Sequence, residues 1–199
     1  MNSAVNQFIS SAIYEGKLTV DADNDRQIIK IPNDYLGILN KEAGIIFVPV
    51  EHEGNTQASD EEVSKIQKLA NELLGRTFIG KNGNQRLISW SDILFVAPYN
   101  YQVNKLRQAL GKEARVGSVD KFQGQEAPIV FLSMCASSGA ESPRGLDFLF
   151  DKHRLNVAIS RAQCLAIVVA NPDLCKTNAT NIQQLEMANT FCELMQYGA

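Results

Sequence analysis

Four short apolar runs constrain this chain more than any other feature: Gly44–Val50, Asp92–Pro98, Pro128–Met134 and Cys164–Ala170. Each is too short for a helix of ordinary length, and each is followed by a segment with helical spacing of apolar residues. Runs that are apolar at every position suit strands buried on both faces, whereas a half-exposed strand would alternate. Ala114–Val119 adds a fifth candidate strand. Strands separated by helices predict a mainly parallel sheet with helices on both faces, an α/β fold built as one domain.

The helices are read from periodicity and stop signals. Residues 4–13 place apolar side chains at 5, 8, 9, 12 and 13, and Gly16 is placed to end that helix. Ser59-Asp60-Glu61-Glu62 reads as a capping box, with Ser59 at the cap and Glu62 reaching back to it. Val63, Ile66, Leu69, Ala70, Leu73 and Leu74 form the stripe behind it, and Gly75 stops it. Further helices are expected through Val103, Leu106 and Leu110, over 152–161 and over 180–196. Pro49 places its strand near an end or at a sheet edge. Residues 17–43 are expected to be irregular, with at most a short strand at Ile28–Ile31. Residues 76–91 are expected to be loop, and Ser137–Pro143 a mobile polar excursion.

Of the 199 residues, 45% are hydrophobic and 21% charged, ordinary values for a soluble globular domain with a buried core. No apolar run reaches membrane-spanning length and no signal-peptide pattern opens the chain, so no membrane association and a cytoplasmic location are expected. Cys135, Cys164, Cys175 and Cys192 form no CxxC pair and read as reduced thiols. His52 and His153 read as exposed. A net charge of −3 argues against a nucleic-acid binder held by bulk electrostatics. The distribution is uneven: residues 1–80 carry 7 basic and 12 acidic side chains, residues 81–199 carry 12 and 10.

Two segments carry the chemistry. Val116–Glu126 contains the run Asp120-Lys121-Phe122-Gln123-Gly124-Gln125-Glu126, a row of hydrogen-bonding side chains between two buried strands that suggests a shared polar partner. His153–Ala162 is a helix-like segment ending at Arg161, which could complement the helix dipole or present a bidentate guanidinium to a phosphoryl group. Open parallel sheets bind ligands at the carboxyl ends of their strands, which directs attention to Pro98–Gln102, Ser118–Glu126 and the residues after Ser133. No G-x-x-x-x-G-K-[ST] is present: Gly80-Lys81 and Gly111-Lys112 lack the following Ser or Thr. No strand ends in an Asp-Glu pair for magnesium, so the chain by itself is not a complete P-loop ATPase.

Together these segments resemble motifs V and VI of superfamily 1 helicases, in the branch that includes the nonsense-decay enzymes. Met1–Leu18 is similar to the family segment after motif IV, and Ile93–Val103 to its strand ending in Pro-Tyr-x-x-Gln. The resemblance implies a RecA-like P-loop NTPase fold without its own P-loop, the second of two motor domains, here beginning at the start of that domain. ATP would lie between the domains, with Mg2+ held by the first, and single-stranded nucleic acid, DNA by preference, would cross both. On that resemblance Arg161 reaches the γ-phosphate, Gly124 and Glu126 face the nucleotide, and Gln123 couples that site to the strand. Pro98, Tyr99, Asn100, Ser118 and Asp120 would lie toward the nucleic-acid backbone. Asp120–Pro128 with Ser137-Ser138, Pro143-Arg144-Gly145 and Arg154-Leu155-Asn156 is similar to bacterial proteins that join a RecB-like nuclease to such a helicase. The competing reading is a non-catalytic docking module that keeps the RecA-like fold. A nuclease is a more distant one, since no acidic cluster is visible.

Overall fold

In the computed structural model, which describes residues 1–138 and 144–199, alternating apolar strands and helices build a layered α/β domain. The elements are α1 (Ser3–Tyr14), β1 (Ile28–Ile29), β2 (Gly44–Pro49), α2 (Asp60–Leu73), β3 (Thr77–Ile79), β4 (Gln85–Leu87), β5 (Ile93–Val96), α3 (Asn100–Leu110), β6 (Arg115–Gly117), β7 (Ala127–Ser133), α4 (Gly145–Leu149), α5 (Lys152–Ser160), β8 (Ala162–Ala170) and α6 (Ile182–Gly198). Five strands form one sheet in the order β2-β8-β7-β5-β6, and every pairing in it is parallel.

The continuous apolar runs are explained by two cores, one on each face. Alternate residues of a strand point to opposite faces. Ile45 and Phe47, Leu94 and Val96, Val130 and Leu132, Ala166 and Val168 pack with Val5, Phe8, Leu155, Ile159, Phe191 and Leu194 of α1, α5 and α6. Their neighbours Ile46 and Val48, Phe95, Ile129 and Phe131, Leu165 and Ile167 pack with Ile66, Leu69, Leu73, Val103 and Leu106 of α2 and α3. Phe95 and Phe131 stack at 5.3 Å between ring centroids in the second core.

One expectation is corrected in the fold. The segment 76–91 holds a hairpin, β3–β4, which pairs antiparallel with β1 in a separate three-stranded sheet. Its strands have three residues each, and β4 is exposed throughout, so neither carries a strand period. The short strand allowed for within Ile28–Ile31 is present as Ile28–Ile29. Residues 139–143 of the Ser137–Pro143 excursion lie outside the described residues. Pro49 does end an edge strand, as expected. Against that strand lies Gly198 at the end of α6, where a Cβ would come within 2.6 Å of the Phe47 backbone nitrogen. Among the described residues no helix is long and apolar enough to cross a membrane.

Phe95→Ala removes a fully buried ring and its stacking on Phe131. A loss of about 3–5 kcal/mol of stability is expected, measured by urea unfolding with the transition midpoint shifted and its slope unchanged.

Candidate functional site at the two ends of the parallel sheet

The Val116–Glu126 run traverses the sheet from one end to the other. Leu94 pairs with both Arg115 and Val130, so β6 lies level with the middle and end of β7. The chain leaves β6 at Gly117 on the carboxyl side and turns through a short 3-10 helix at Asp120–Phe122, anchored by the buried Phe122 ring. It reverses at Gly124, whose φ of +78° favours glycine. It enters β7 at Ala127, three residues and about 10 Å before the level of β6. Ser118 and Asp120 are therefore at the carboxyl end, while Gly124 and Glu126 are at the amino end. The expectation that all of this chemistry gathers at the carboxyl ends is corrected: this connection carries no long helix, so its nine residues run directly back down the sheet.

Arg161 meets that second half. It caps α5 and immediately precedes β8, whose Ala162 pairs with Ala127. The Ala127 N–H donates to the Arg161 carbonyl at 3.1 Å, which sets Glu126 and Arg161 side by side on adjacent strands. Glu126, Gly124 and Gln123 are exposed, and Arg161 is half-buried. The Arg161 Nε is buried and has no hydrogen-bond partner among the described residues. An orphaned guanidinium nitrogen is costly unless an acceptor is supplied.

At the carboxyl end, Tyr99 is 5% exposed and packs its ring against Phe148 at 5.2 Å, while Asn100 is exposed and Pro98 half-buried. The guanidiniums of Arg144 and Arg154 lie 4.6 and 4.2 Å from the centroid of that same Phe148 ring. Asp120 and Gln123 line a cavity of about 210 Å³ together with His153 and Arg154. The structure thus brings Asp120 and Gln123 to the start of α5. Arg144 and Arg154 both stand in segments singled out by sequence, but their convergence on one ring was not signalled, because Phe148 lies outside every motif.

Sequence reasoning also missed a buried polar network behind this end. Glu62 does not complete a capping box. Ser59 Oγ accepts from the Glu62 N–H at 3.1 Å, but the Glu62 carboxylate turns inward. It accepts from the Ser133 hydroxyl at 2.5 Å and from the Cys135 N–H at 3.0 Å, and it lies 3.1 Å from His52 Nε2. His52, expected at the surface, is buried between Glu62 and Ser137, with Nδ1 2.7 Å from Ser137 Oγ. Gln102 fills the place left at the cap: its carbonyl oxygen accepts from the Ser59 N–H at 2.9 Å and its amide donates to Ser133 Oγ at 2.8 Å. Cys135 is held at φ +53°, a left-handed conformation uncommon for a residue other than glycine. The network thereby links the loop after β2, the turn into α3 and the end of β7. Its one sequence signal is Gln102 following Tyr99, since the partners of Glu62 stand 10 to 73 residues away.

Burial raises the Glu62 pKa above its ordinary 4.5, opposed by the hydrogen bonds from His52, Ser133 and the Cys135 N–H. Burial likewise pushes the Cys135 thiol well up, and that of Cys164 to about 12. All four cysteines are free, and among the described residues no group of three or more His, Cys, Asp or Glu side chains could hold a metal ion.

A family model described as an AAA domain matches residues 1–173. The regulator of nonsense transcripts 1 homolog of Arabidopsis thaliana is 31% identical over 188 residues, which cover 86% of this chain and 14% of that protein. The putative helicase mov-10-B.1 of Danio rerio is 38% identical over 106 residues, 46% of this chain and 10% of its own length. The DNA polymerase alpha-associated DNA helicase A of Saccharomyces cerevisiae is 28% identical over 193 residues, 86% of this chain and 26% of that protein. The chain is thus similar to a small part of each of these relatives.

Between 4.5 and its raised folded value, Glu62 keeps a proton in the folded chain that the unfolded chain has released. Its contribution to stability is therefore full below 4.5 and declines as pH rises through the folded value. Glu62→Gln should flatten that decline, read as the difference between parent and variant unfolding free energies across a pH series. Parallel curves would remove Glu62 as the source.

Proposed function

The chain belongs to the AAA domain family, with superfamily 1 helicases among its relatives, and we propose that it is the second RecA-like motor domain of an ATP-dependent helicase or translocase. The observation that carries this reading is the adjacency of Glu126 and Arg161 at the amino end of β7 and β8, with a buried Arg161 Nε awaiting an acceptor. An anionic group fits that nitrogen, and the γ-phosphate of ATP is the group the family resemblance supplies. In this reading, Arg161 stabilises the charge that grows on the transferred phosphoryl group. Glu126 and Gly124 border the nucleotide, and the exposed Glu126 carboxylate is suited to accept hydrogen bonds from ribose hydroxyls. ATP, when bound, supplies the phosphoanhydride whose hydrolysis drives movement, and Mg2+ is held by carboxylates of the first domain.

The carboxyl end is assigned to single-stranded nucleic acid, preferentially DNA. Asn100, Ser118 and Asp120 offer polar groups there, whereas Tyr99, packed on Phe148, positions the turn from within. Gln123 lies on the segment between the two ends, beside Asp120 in the small cavity with Arg154. This placement supports its role as the coupling residue. The motif run Asp120–Pro128 with Arg154-Leu155-Asn156 supports the narrower placement beside bacterial RecB-like nuclease–helicase proteins; finding no nuclease-coding segment upstream in the gene would remove it.

The isolated chain is expected to show no ATP turnover; activity that co-purifies with it through successive columns would overturn the division of the site between two domains. In the protein carrying both domains, Arg161→Ala should lower kcat for ATP by on the order of a thousandfold while strand binding persists. Equal turnover in variant and parent would sink the role given to Arg161.

A further inference from the structure

Outside both ends of the sheet, a cleft of about 690 Å³ opens along the β6 edge, lined by Arg107 and Lys112 at the end of α3, Arg115 of β6, and Lys121 and Gln125 of the following run. Its cations converge. The outward carbonyl of Val116 accepts from Arg107 Nη2 at 3.2 Å and from Lys121 Nζ at 3.0 Å. Arg115 donates to the Ser91 carbonyl at 2.9 Å and to Gln125 Oε1 at 2.9 Å. Lys112 is exposed, and Glu113 is the one acidic residue of the lining. Among the described residues, none of these four cations is within ion-pair distance of a carboxylate, although Lys17, Arg26, Lys30, Lys81, Arg86, Lys105 and Lys176 all are.

Edge protection and the dipole of α3 account for part of this. The opposite edge of the same sheet provides the comparison. At β2 a single lysine, Lys41, donates to the Ile45 carbonyl at 3.0 Å and also reaches the last carbonyls of α6. One cation suffices there, whereas four gather at β6. Like charges held together repel unless an anion lies between them.

We propose that this cleft binds backbone phosphates of a nucleic-acid strand, at a site separate from the carboxyl-end loops. Phosphates match cations fixed by backbone carbonyls with donors to spare. Phe122, the aromatic residue of the lining, is 3% exposed and offers no face to a base, so the cleft fits a string of phosphates better than a nucleotide. Lys121 and Gln125 belong to the run that carries Gln123, Gly124 and Glu126. A strand in the cleft therefore bears directly on the segment bordering the proposed nucleotide edge. The inference takes from the proposed function only that the chain handles nucleic acid.

The test is fluorescence anisotropy of the chain with a labelled oligothymidylate across a salt series. Arg107→Gln with Lys112→Gln should weaken binding about tenfold at low salt and flatten the slope of log affinity against log salt by roughly 1.4, the equivalent of two phosphate contacts on a single strand. Lys112→Glu alone, at an exposed side chain with no bond to lose, should weaken binding in the same direction with unfolding unchanged. Asn100→Ala, at the other site, should weaken binding and leave the slope as in the parent. Unchanged affinity and slope in both cleft variants, with Asn100→Ala still effective, overturn the cleft and spare the carboxyl-end assignment. No binding of the oligonucleotide by the parent overturns both. Inorganic pyrophosphate binding seen by calorimetry, lost in Arg107→Gln with Lys112→Gln and unaccompanied by oligonucleotide binding, identifies a free phosphate compound as the ligand and overturns the proposal.

Discussion

Burying a parallel sheet on both faces leaves only its ends and edges for chemistry. Here α1, α5 and α6 close one face and α2 and α3 the other, so the side chains of the central strands β5 and β7 are committed to packing along their whole length. Polar residues can enter only where strands begin or stop. The chain uses both kinds of place, and it joins them with the connection from β6 to β7. That connection has only a 3-10 turn, and no long helix, to cross a face. Its residues descend through the sheet's depth, which makes one sequence run border two separate surfaces. A disturbance at one surface has a short covalent route to the other.

The carboxyl end is stiffened from behind by Glu62. Taking a carboxylate out of water costs several kcal/mol, and this is offset only when its oxygens are met by donors. Ser133, the Cys135 N–H and His52 supply them, and Gln102, donating to Ser133 Oγ, ties the network to the start of α3. The strained backbone of Cys135 persists because its N–H is held by both carboxylate oxygens. Four separate segments are therefore fixed relative to one another by one fully buried charge-bearing group.

The sheet and its helices are legible in the sequence because burial on both faces writes itself as unbroken apolar runs, as in Ile45–Val48 and Ile129–Leu132. The β3–β4 hairpin is not, since Gln85-Arg86-Leu87 is three exposed residues with no period to read. Arg161 and Glu126 can be singled out by motif, but their adjacency comes from the pairing of Ala127 with Ala162, a register that no local pattern records. His52 and Glu62 are misread for a related reason. Spacing within one helix suggests a local cap, while the partners that turn Glu62 inward arrive from strands far along the chain. Polar residues announce their type in a sequence and withhold their company.

The contact of Gly198 with Phe47 bears on how copies of this protein behave at high concentration. An outermost strand with open amides invites a neighbour's extended segment to add on. Here the end of α6 presses against the Phe47 backbone so closely that a methyl group would not fit, and Lys41 occupies the Ile45 carbonyl beside it. A foreign segment approaching β2 meets a helix end and an ammonium group in place of a free ladder. A side chain in place of that glycine would force the helix end away from the strand and uncover its edge.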